Sequence, residues 1–301
     1  MRVFVTGGTG FIGSAVVADL LAAGHEVLGL ARSEASARAL RAAGATPHRG
    51  SLEDVESLRA AAARTDGTVH TAFDTSDLER FVEAGRVERA ALEAMGDVLA
   101  GSGRPLVVTA GFAFLTPGSV ATEEYTSPSP ASPVGRAAEA SARSMAETGV
   151  CTSVVRLPCV HGTGDRFTVP RYIDVARRTG VSAYIGDGLN RWSAVHHTDA
   201  ARVYRLALEK AVPGARYHAV AEEGVPFKEV ARTIGRRLGL PVLSKSPEAA
   251  DAHFGIDSYF AQADIPASSA LTRRRLGWAP TGPTLLADLD RDDYYADAVR
   301  R

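Results

Sequence analysis

Three glycines near the start of the chain constrain its fold more than any other feature. Gly7, Gly10 and Gly13 follow the short apolar run RVFV and precede FIGSAVVADLLA, whose apolar residues recur at helical spacing. In a strand–turn–helix of this kind the first glycine permits a tight turn. The second lets backbone approach a pyrophosphate, and the third lets the helix pack close to the sheet. The helix N-terminus then offers free N–H groups and a positive dipole to the phosphate. A second apolar run, HEVLGLAR (25–32), completes the β–α–β unit. The pattern points to a dinucleotide-binding turn; the alternative is a strand–helix turn without a ligand.

The same alternation continues along the chain. Strands are expected at 2–5, 25–32, 45–48, 67–72, 105–109 and 150–157, and helices at 11–23, 34–43, 52–63, 78–99 and 131–147. Gly44 ends the second helix, while Gly85 and Gly96 weaken the fourth. This order implies an α/β fold with a doubly wound parallel sheet covered on both faces. Beyond Pro158 the pattern loosens, with helices expected at 169–178, 198–209, 227–237 and 268–276 and a strand at 216–220. TSPSPASP (126–133) reads as a loop over the sheet edge.

At 301 residues the chain has room for about two domains of roughly 150 residues each. The expected division is 1–157 for the nucleotide and 158–301 for substrate, with a segment near 194–220 returning to the first. Apolar residues at 45% and charged residues at 23% argue for a globular chain over a disordered one. Lys+Arg is 34 and Asp+Glu is 35, so there is no basic excess for a nucleic-acid partner. No apolar run reaches 18 residues, so no membrane span is expected. The N-terminus does not read as a signal peptide, because TGGTG cuts its apolar stretch, and the expected compartment is cytoplasmic. Cys151 and Cys159 are too few for a disulfide framework or a four-thiolate zinc site, and their spacing suits two reduced, buried thiols.

The end of the second strand bears on the choice of cofactor. A carboxylate there would hydrogen-bond the ribose 2′-OH of NAD. The chain has Ala31-Arg32-Ser33 instead, with no acid before Glu34. Arg32 can accept the 2′-phosphate of NADP, so NADP(H) is expected over NAD(H). A solvated surface arginine is the alternative.

With these residues in view the chain resembles the extended short-chain dehydrogenase/reductases, the NAD-dependent epimerase/dehydratase group. The likeness is carried by TGGTGFIG (6–13), VHTAFD (69–74), VVRLPCVHG (154–162) and AVHHTDAAR (194–202), in the family's order and spacing. It implies a Rossmann-type sheet with a smaller C-terminal substrate-binding domain. The cofactor would meet Thr6, Gly7, Gly10, Phe11, Ile12 and Gly13 in the turn. It would also meet Arg32 and Ser33 after the second strand, Ser51 and Leu52 after the third, and Ala72 after the fourth. A homodimer packed through 78–99 and 131–147 is a further implication.

The family's chemistry uses a Tyr-x-x-x-Lys pair and a Ser or Thr after the fifth strand. None of the eight tyrosines here has a lysine four residues on, and the first lysine is Lys210. Val134 and Ala138 stand at the expected places, and TAGFAF leaves Thr109 as the only hydroxyl before Thr116. The resemblance is therefore to an atypical member of that group. A proton donor is worth about 10²–10⁴-fold and can come from another group. Candidates are Asp74 after the fourth strand, Thr109, Tyr125 in the polar loop, His161 after the sixth strand, and His196 or His197. Each has a plainer reading: a helix cap for Asp74, a ladder-end hydroxyl for Thr109, a surface aromatic for Tyr125, a backbone partner for His161. Neighbours on a strand point to opposite faces, so one of the two adjacent histidines is expected to be structural. By the same argument no metal site is expected. Arg136 could replace some of the missing lysine's charge. Arg191 and Trp192 could contact substrate or, for Trp192, pack in the core, and Cys159 reads as a packed thiol.

Three functions fit these features. The first is an NADPH-dependent oxidoreductase of a small carbonyl or alcohol with a substituted proton donor. The second is a non-redox isomerase, dehydratase or cyclase on the same scaffold. The third is a non-catalytic NADP-binding regulator. A small-molecule substrate, with neither nucleic acid nor membrane as partner, is common to the first two. Phe167, Tyr172, Tyr184, Trp192, Phe254, Tyr259 and Phe260 could line a pocket for a ring-bearing compound or form ordinary core.

Overall fold

The computed structural model describes residues 1–74, 80–111, 119–126 and 137–296. Val134, Arg136 and Thr116 lie outside them, as do the first residues expected for the helices at 78–99 and 131–147. The first half of the chain runs β1 (Arg2–Thr6), α1 (Phe11–Ala22), β2 (Glu26–Ala31), α2 (Glu34–Ala42), β3 (Thr46–Arg49), α3 (Val55–Ala63), β4 (Gly67–His70), α4 (Phe81–Leu99), β5 (Pro105–Gly111), α5 (Ala138–Glu147) and β6 (Cys151–Leu157). The second half runs β7 (Cys159–His161), α6 (Val169–Thr179), β8 (Ser182–Ile185), β9 (Arg191–His196), α7 (His197–Lys210), β10 (Ala215–His218), β11 (Glu222–Pro226), α8 (Phe227–Leu238), β12 (Val242–Lys245), α9 (Pro247–Phe254), α10 (Ser258–Gln262), α11 (Ala270–Leu276) and α12 (Leu285–Leu289).

Seven strands form one parallel sheet in the order β10-β6-β5-β4-β1-β2-β3. The chain builds outward from β1 in one direction, then returns to build from β4 in the other. The switch point between β1 and β4 opens a crevice at the strands' carboxyl ends, where such sheets bind ligands. The glycine turn leaves β1 at that point.

Alternation within the strands divides the core. Val3 and Val5 of β1 face α1 and α7 in one cluster with Val17, Leu20 and Tyr204, while Phe4 faces the other side with Leu58, Leu92 and Met95 of α3 and α4. Both faces are covered, so the strands read as near-continuous apolar runs. On α4 the buried stripe Phe81, Gly85, Glu88, Leu92, Met95 and Leu99 follows helical spacing, and it contains one acid.

At Pro158 the chain leaves the sheet and a second lobe begins. β7, β9 and β11 form a three-stranded sheet, and β8 pairs with β12. Tyr172, Trp192, Phe227 and Phe254 pack ring against ring in its core, with Tyr172–Trp192 centroids 5.3 Å apart. Tyr172, Trp192 and Phe254 are therefore core residues. Among the described residues no helix is long and apolar enough to cross a membrane.

Candidate active site

The turn after β1 is shaped for close approach. Gly7 has φ +73°, and a Cβ there would stand 2.7 Å from the Ala72 nitrogen. A Cβ at Gly13 would collide with the Gly7 carbonyl. The Gly10 N–H donates to the Gly7 carbonyl at 2.9 Å, and no side chain caps α1 at Gly10. The amide groups of Phe11 and Ile12 thus open α1 with its positive dipole unscreened by a side chain. Thr6 bonds His70 Nδ1 at 2.9 Å, and the Thr71 hydroxyl donates to the Thr6 carbonyl at 2.8 Å, tying the ends of β1 and β4 together. The cradle that the missing side chains leave fits a dinucleotide pyrophosphate.

At the end of β2, Arg32 is exposed. Ser33 caps α2 by accepting the Ser36 N–H at 3.1 Å. Glu34, the nearest acid, is paired with Arg41 at 3.2 Å and with Arg49. Arg49 ends β3 in register with Ala31, so two arginines flank this corner while the carboxylate is drawn into ion pairs. Ser51 and Leu52 follow, both half-buried, with Leu52 packed on the α3–α4 side.

The structure treats the candidate catalytic residues differently. Thr109 is 3% exposed, and its hydroxyl bonds the His70 carbonyl and the Tyr204 hydroxyl, each at 2.8 Å. Asp74 is exposed and does not cap the following helix, whose N-cap is Arg80. Tyr125 is half-buried. His161 is fully buried: its Nδ1 lies 2.9 Å from Asp288 Oδ2, and its Nε2 has no hydrogen-bond partner among the described residues.

The expectation that His196 and His197 face apart is overturned. β9 ends at His196 and α7 begins at His197, so strand alternation stops between them. Their rings meet at 4.3 Å, and His196 also meets His161 edge-on at 5.6 Å. His197 packs on Phe11 at 5.1 Å. Burial, then the charge of His197, holds His196 down at about 4, so it is neutral at pH 7. Burial lowers His197 as well. Burial raises Asp165 to about 6 even though it accepts backbone N–H groups from Phe167, Thr168 and Val169. Among the described residues no three His, Cys, Asp or Glu side chains are grouped to hold a metal ion.

Two buried networks escaped the sequence reading. Arg156 of β6 is 2% exposed. It grips Glu139 of α5 at 2.5 and 3.1 Å and donates to His218 Nε2 at 3.1 Å and to the Tyr125 carbonyl at 2.7 Å. Arg216 of β10 donates to the Glu123 and Glu124 carbonyls and to Thr126. Together the two arginines clamp the segment carrying Tyr125 to β6 and β10. Glu88 of α4 lies 3.6 Å from His70 Nε2 and accepts the Ala137 N–H at 3.0 Å, where α5 begins. A charge within an apolar strand (VVRLP) and an acid on the buried stripe of α4 were the available signals. Cys159 is buried, and burial pushes its thiol up, consistent with a packed, unreactive group.

A parallel sheet with its glycine cradle at the switch point defines a dinucleotide-binding protein of the extended short-chain dehydrogenase/reductase type. The NAD-dependent epimerase/dehydratase family model matches residues 3–220, and the chain belongs to that family. It is 51% identical to an uncharacterized protein of Schizosaccharomyces pombe, covering 98% of this chain and all of that one. It is 28% identical to a 2-alkyl-3-oxoalkanoate reductase of Stenotrophomonas maltophilia, over 82% of this chain and 78% of that one. Among solved structures, the UDP-glucose 4-epimerase of Thermus thermophilus, in complex with NAD, superposes with a TM-score of 0.74 at 22% identity, covering 99% and 100% of the two chains. Family and neighbours support an enzyme of the short-chain dehydrogenase/reductase kind that acts with NAD(P).

Proposed function

We propose that the chain is an NADPH-dependent oxidoreductase of a small carbonyl or alcohol, with Tyr125 as its proton donor. The observation that carries this reading is the corner after β2. Arg32 is exposed there and Glu34 is engaged by Arg41 and Arg49, an arrangement suited to a 2′-phosphate and not to a bare ribose diol. Residues 1–157 then serve the cofactor and 158–301 mainly the substrate, with 194–220 returning to the first part.

The nicotinamide, when bound, supplies or accepts the hydride. The chain's own residues do the rest. Gly7, Gly10 and Gly13 admit the pyrophosphate to the amide groups that open α1, which orients the cofactor. A reduction also needs a proton on the substrate oxygen. Asp74 stands exposed to solvent, four residues beyond β4. The Thr109 hydroxyl is committed to His70 and Tyr204, and His161 is shut inside the protein. Burial keeps His196 and His197 neutral at pH 7. Tyr125 remains: its phenolic O–H can donate, and Arg156 and Arg216 hold its segment against β6 and β10.

The test is a titration with NADPH and NADH, followed by NADPH consumption with 2-octanone in the wild type and in Tyr125→Phe. The reading expects NADPH to bind at least about tenfold tighter, a difference of about 1.4 kcal/mol. It expects the variant to keep NADPH affinity and lose about 10²-fold or more in kcat. Binding without any nicotinamide turnover would favour non-redox chemistry on the same scaffold. An undiminished Tyr125→Phe would remove that residue from the chemistry.

A further inference from the structure

The start of α5 is capped by another helix. Its N-cap is Ala137, followed by Ala138, Glu139 and Ala140, and among the described residues no side chain of α5 caps it. In a capping box the third helical residue would reach back to the N-cap N–H. That residue is Ala140, whose methyl group has no acceptor to offer. Glu88 of α4 supplies one instead: its Oε2 accepts the Ala137 N–H at 3.0 Å from 49 residues away in the chain.

Glu88 is fully buried on the apolar stripe of α4. A carboxyl group there is costly unless it is bound, and a leucine would fill the stripe without that cost. The acid is explained by what it joins. Its Oε1 lies 3.6 Å from His70 Nε2 at the end of β4, and His70 Nδ1 bonds the Thr6 hydroxyl at the end of β1. Further along, α4 and α5 pack closely: a Cβ at Gly96 would stand 2.5 Å from Met145 Sδ. Glu88 with Ala137 and Gly96 with Met145 are contacts equally spaced along both helices. The two helices therefore run in the same direction, and Glu88 sets where α5 begins.

Glu139 lies in the first turn of α5, so what fixes Ala137 also fixes Glu139. Glu139 grips Arg156 through both oxygens, and Arg156 donates to the Tyr125 carbonyl. We propose that Glu88 is a positioning residue. By capping α5 from α4 it places Glu139 and, through Arg156, holds Tyr125 where its hydroxyl can give up a proton. This rests on the reading of Tyr125 as proton donor and adds the group that places it.

Amide exchange in the cofactor-free chain reads the placement, and NADPH consumption with 2-octanone reads its consequence. Glu88→Leu removes the acceptor while filling the stripe, and Glu88→Gln keeps an oxygen for the Ala137 N–H. The Tyr125 N–H, bonded to the Thr122 carbonyl at 3.0 Å, should exchange at least about tenfold faster in Glu88→Leu, with the β1 amides unchanged. In the same variant kcat should fall at least about tenfold with NADPH affinity kept, because a misplaced reacting group can cost about 10²-fold. Glu88→Gln should recover most of both losses. In a Tyr125→Phe background Glu88→Leu should lower kcat by less than about twofold, since the group it places is gone.

Equal losses in both backgrounds would mark a structural role alone and overturn the proposal. Unchanged exchange at Tyr125, or a Glu88→Gln no better than Glu88→Leu, would overturn it too. If Glu88→Leu does not fold, Glu139→Gln takes its place with the same expectations, since it weakens only the grip on Arg156. A Tyr125→Phe variant as active as the wild type, or a wild type that consumes no NADPH, overturns the preceding reading and this one with it. Tyr125→Phe losing activity while the Glu88→Leu loss multiplies with it overturns this one alone.

Discussion

His161 and Asp288 stand 127 residues apart in the chain, and their side chains meet at 2.9 Å inside the protein. The contact fastens α12, near the end of the described chain, to the strand that follows the central sheet. Tyr294 reinforces it by accepting the Gly162 N–H at 2.7 Å. Burial opposes the Asp288 charge, but the hydrogen bond from His161 prevails and holds that carboxyl below its ordinary value. Asp288→Ala should therefore destabilise the fold by about 1.5–3 kcal/mol, read as a lower urea midpoint at pH 7. Because the folded value is depressed, the contribution is complete above the unfolded carboxyl value and fades as pH falls through the folded one. A difference between wild type and variant that persists undiminished well below pH 3 would contradict this account.

Gly13→Ala tests the cradle. The new methyl would drive into the Gly7 carbonyl, which is backbone and cannot swing aside, so α1 must move off the sheet. Dinucleotide affinity should fall at least tenfold, and stability by about 1–3 kcal/mol. Calorimetry and thermal melting together would show both losses. A variant that binds as the wild type does would mean the turn is not the phosphate site.

Arg32→Ala separates the cofactors. If the guanidinium reads a 2′-phosphate, NADPH should weaken by about tenfold or more while NADH affinity stays put. An equal loss for both would assign Arg32 to general electrostatics.

His218 gives the fold an acid limb. Burial, then the neighbouring Arg156, holds this histidine down at about 3, so it is neutral when folded and accepts the Arg156 N–H on Nε2. Its Nδ1 then donates to the Ser268 carbonyl at 2.8 Å. The unfolded chain takes up the proton near pH 6.5 and the folded chain does not. Stability is whole above that point and falls steadily toward pH 3, by about 2 kcal/mol between pH 6.5 and 5. His218→Gln should flatten that slope in urea melts at pH 7 and pH 5. An unchanged slope would place the acid sensitivity elsewhere.

Much of the first half was legible in the sequence. The spacing of Gly7, Gly10 and Gly13 and the apolar runs either side predict β1, α1 and β2 to within about a residue, because these elements are built from local periodicity. The second lobe was less legible. β7, β8, β9, β11 and β12 have six residues or fewer, and in such short runs only a partner strand distinguishes strand from loop. The aromatic residues of that lobe were ambiguous for the same reason. The contacts of Tyr172, Trp192 and Phe254 make them core, while Tyr259 stays outside.

By itself the sequence determined the parallel α/β sheet, the glycine cradle at the end of β1, the arginine after β2 and the loss of the Tyr-x-x-x-Lys pair. Each is a matter of residue type at short spacing, where backbone geometry is decided locally. The tertiary structure alone decided which side chains meet. It brought His161 to Asp288, Arg156 to Glu139 and Arg191 to Asp264, and it placed the rings of His196 and His197 together at the strand-to-helix junction. Those pairings join residues far apart in the chain, or depend on where a strand ends. Charge and burial at a site are properties of the packed molecule, set only when distant segments close around the same few ångströms.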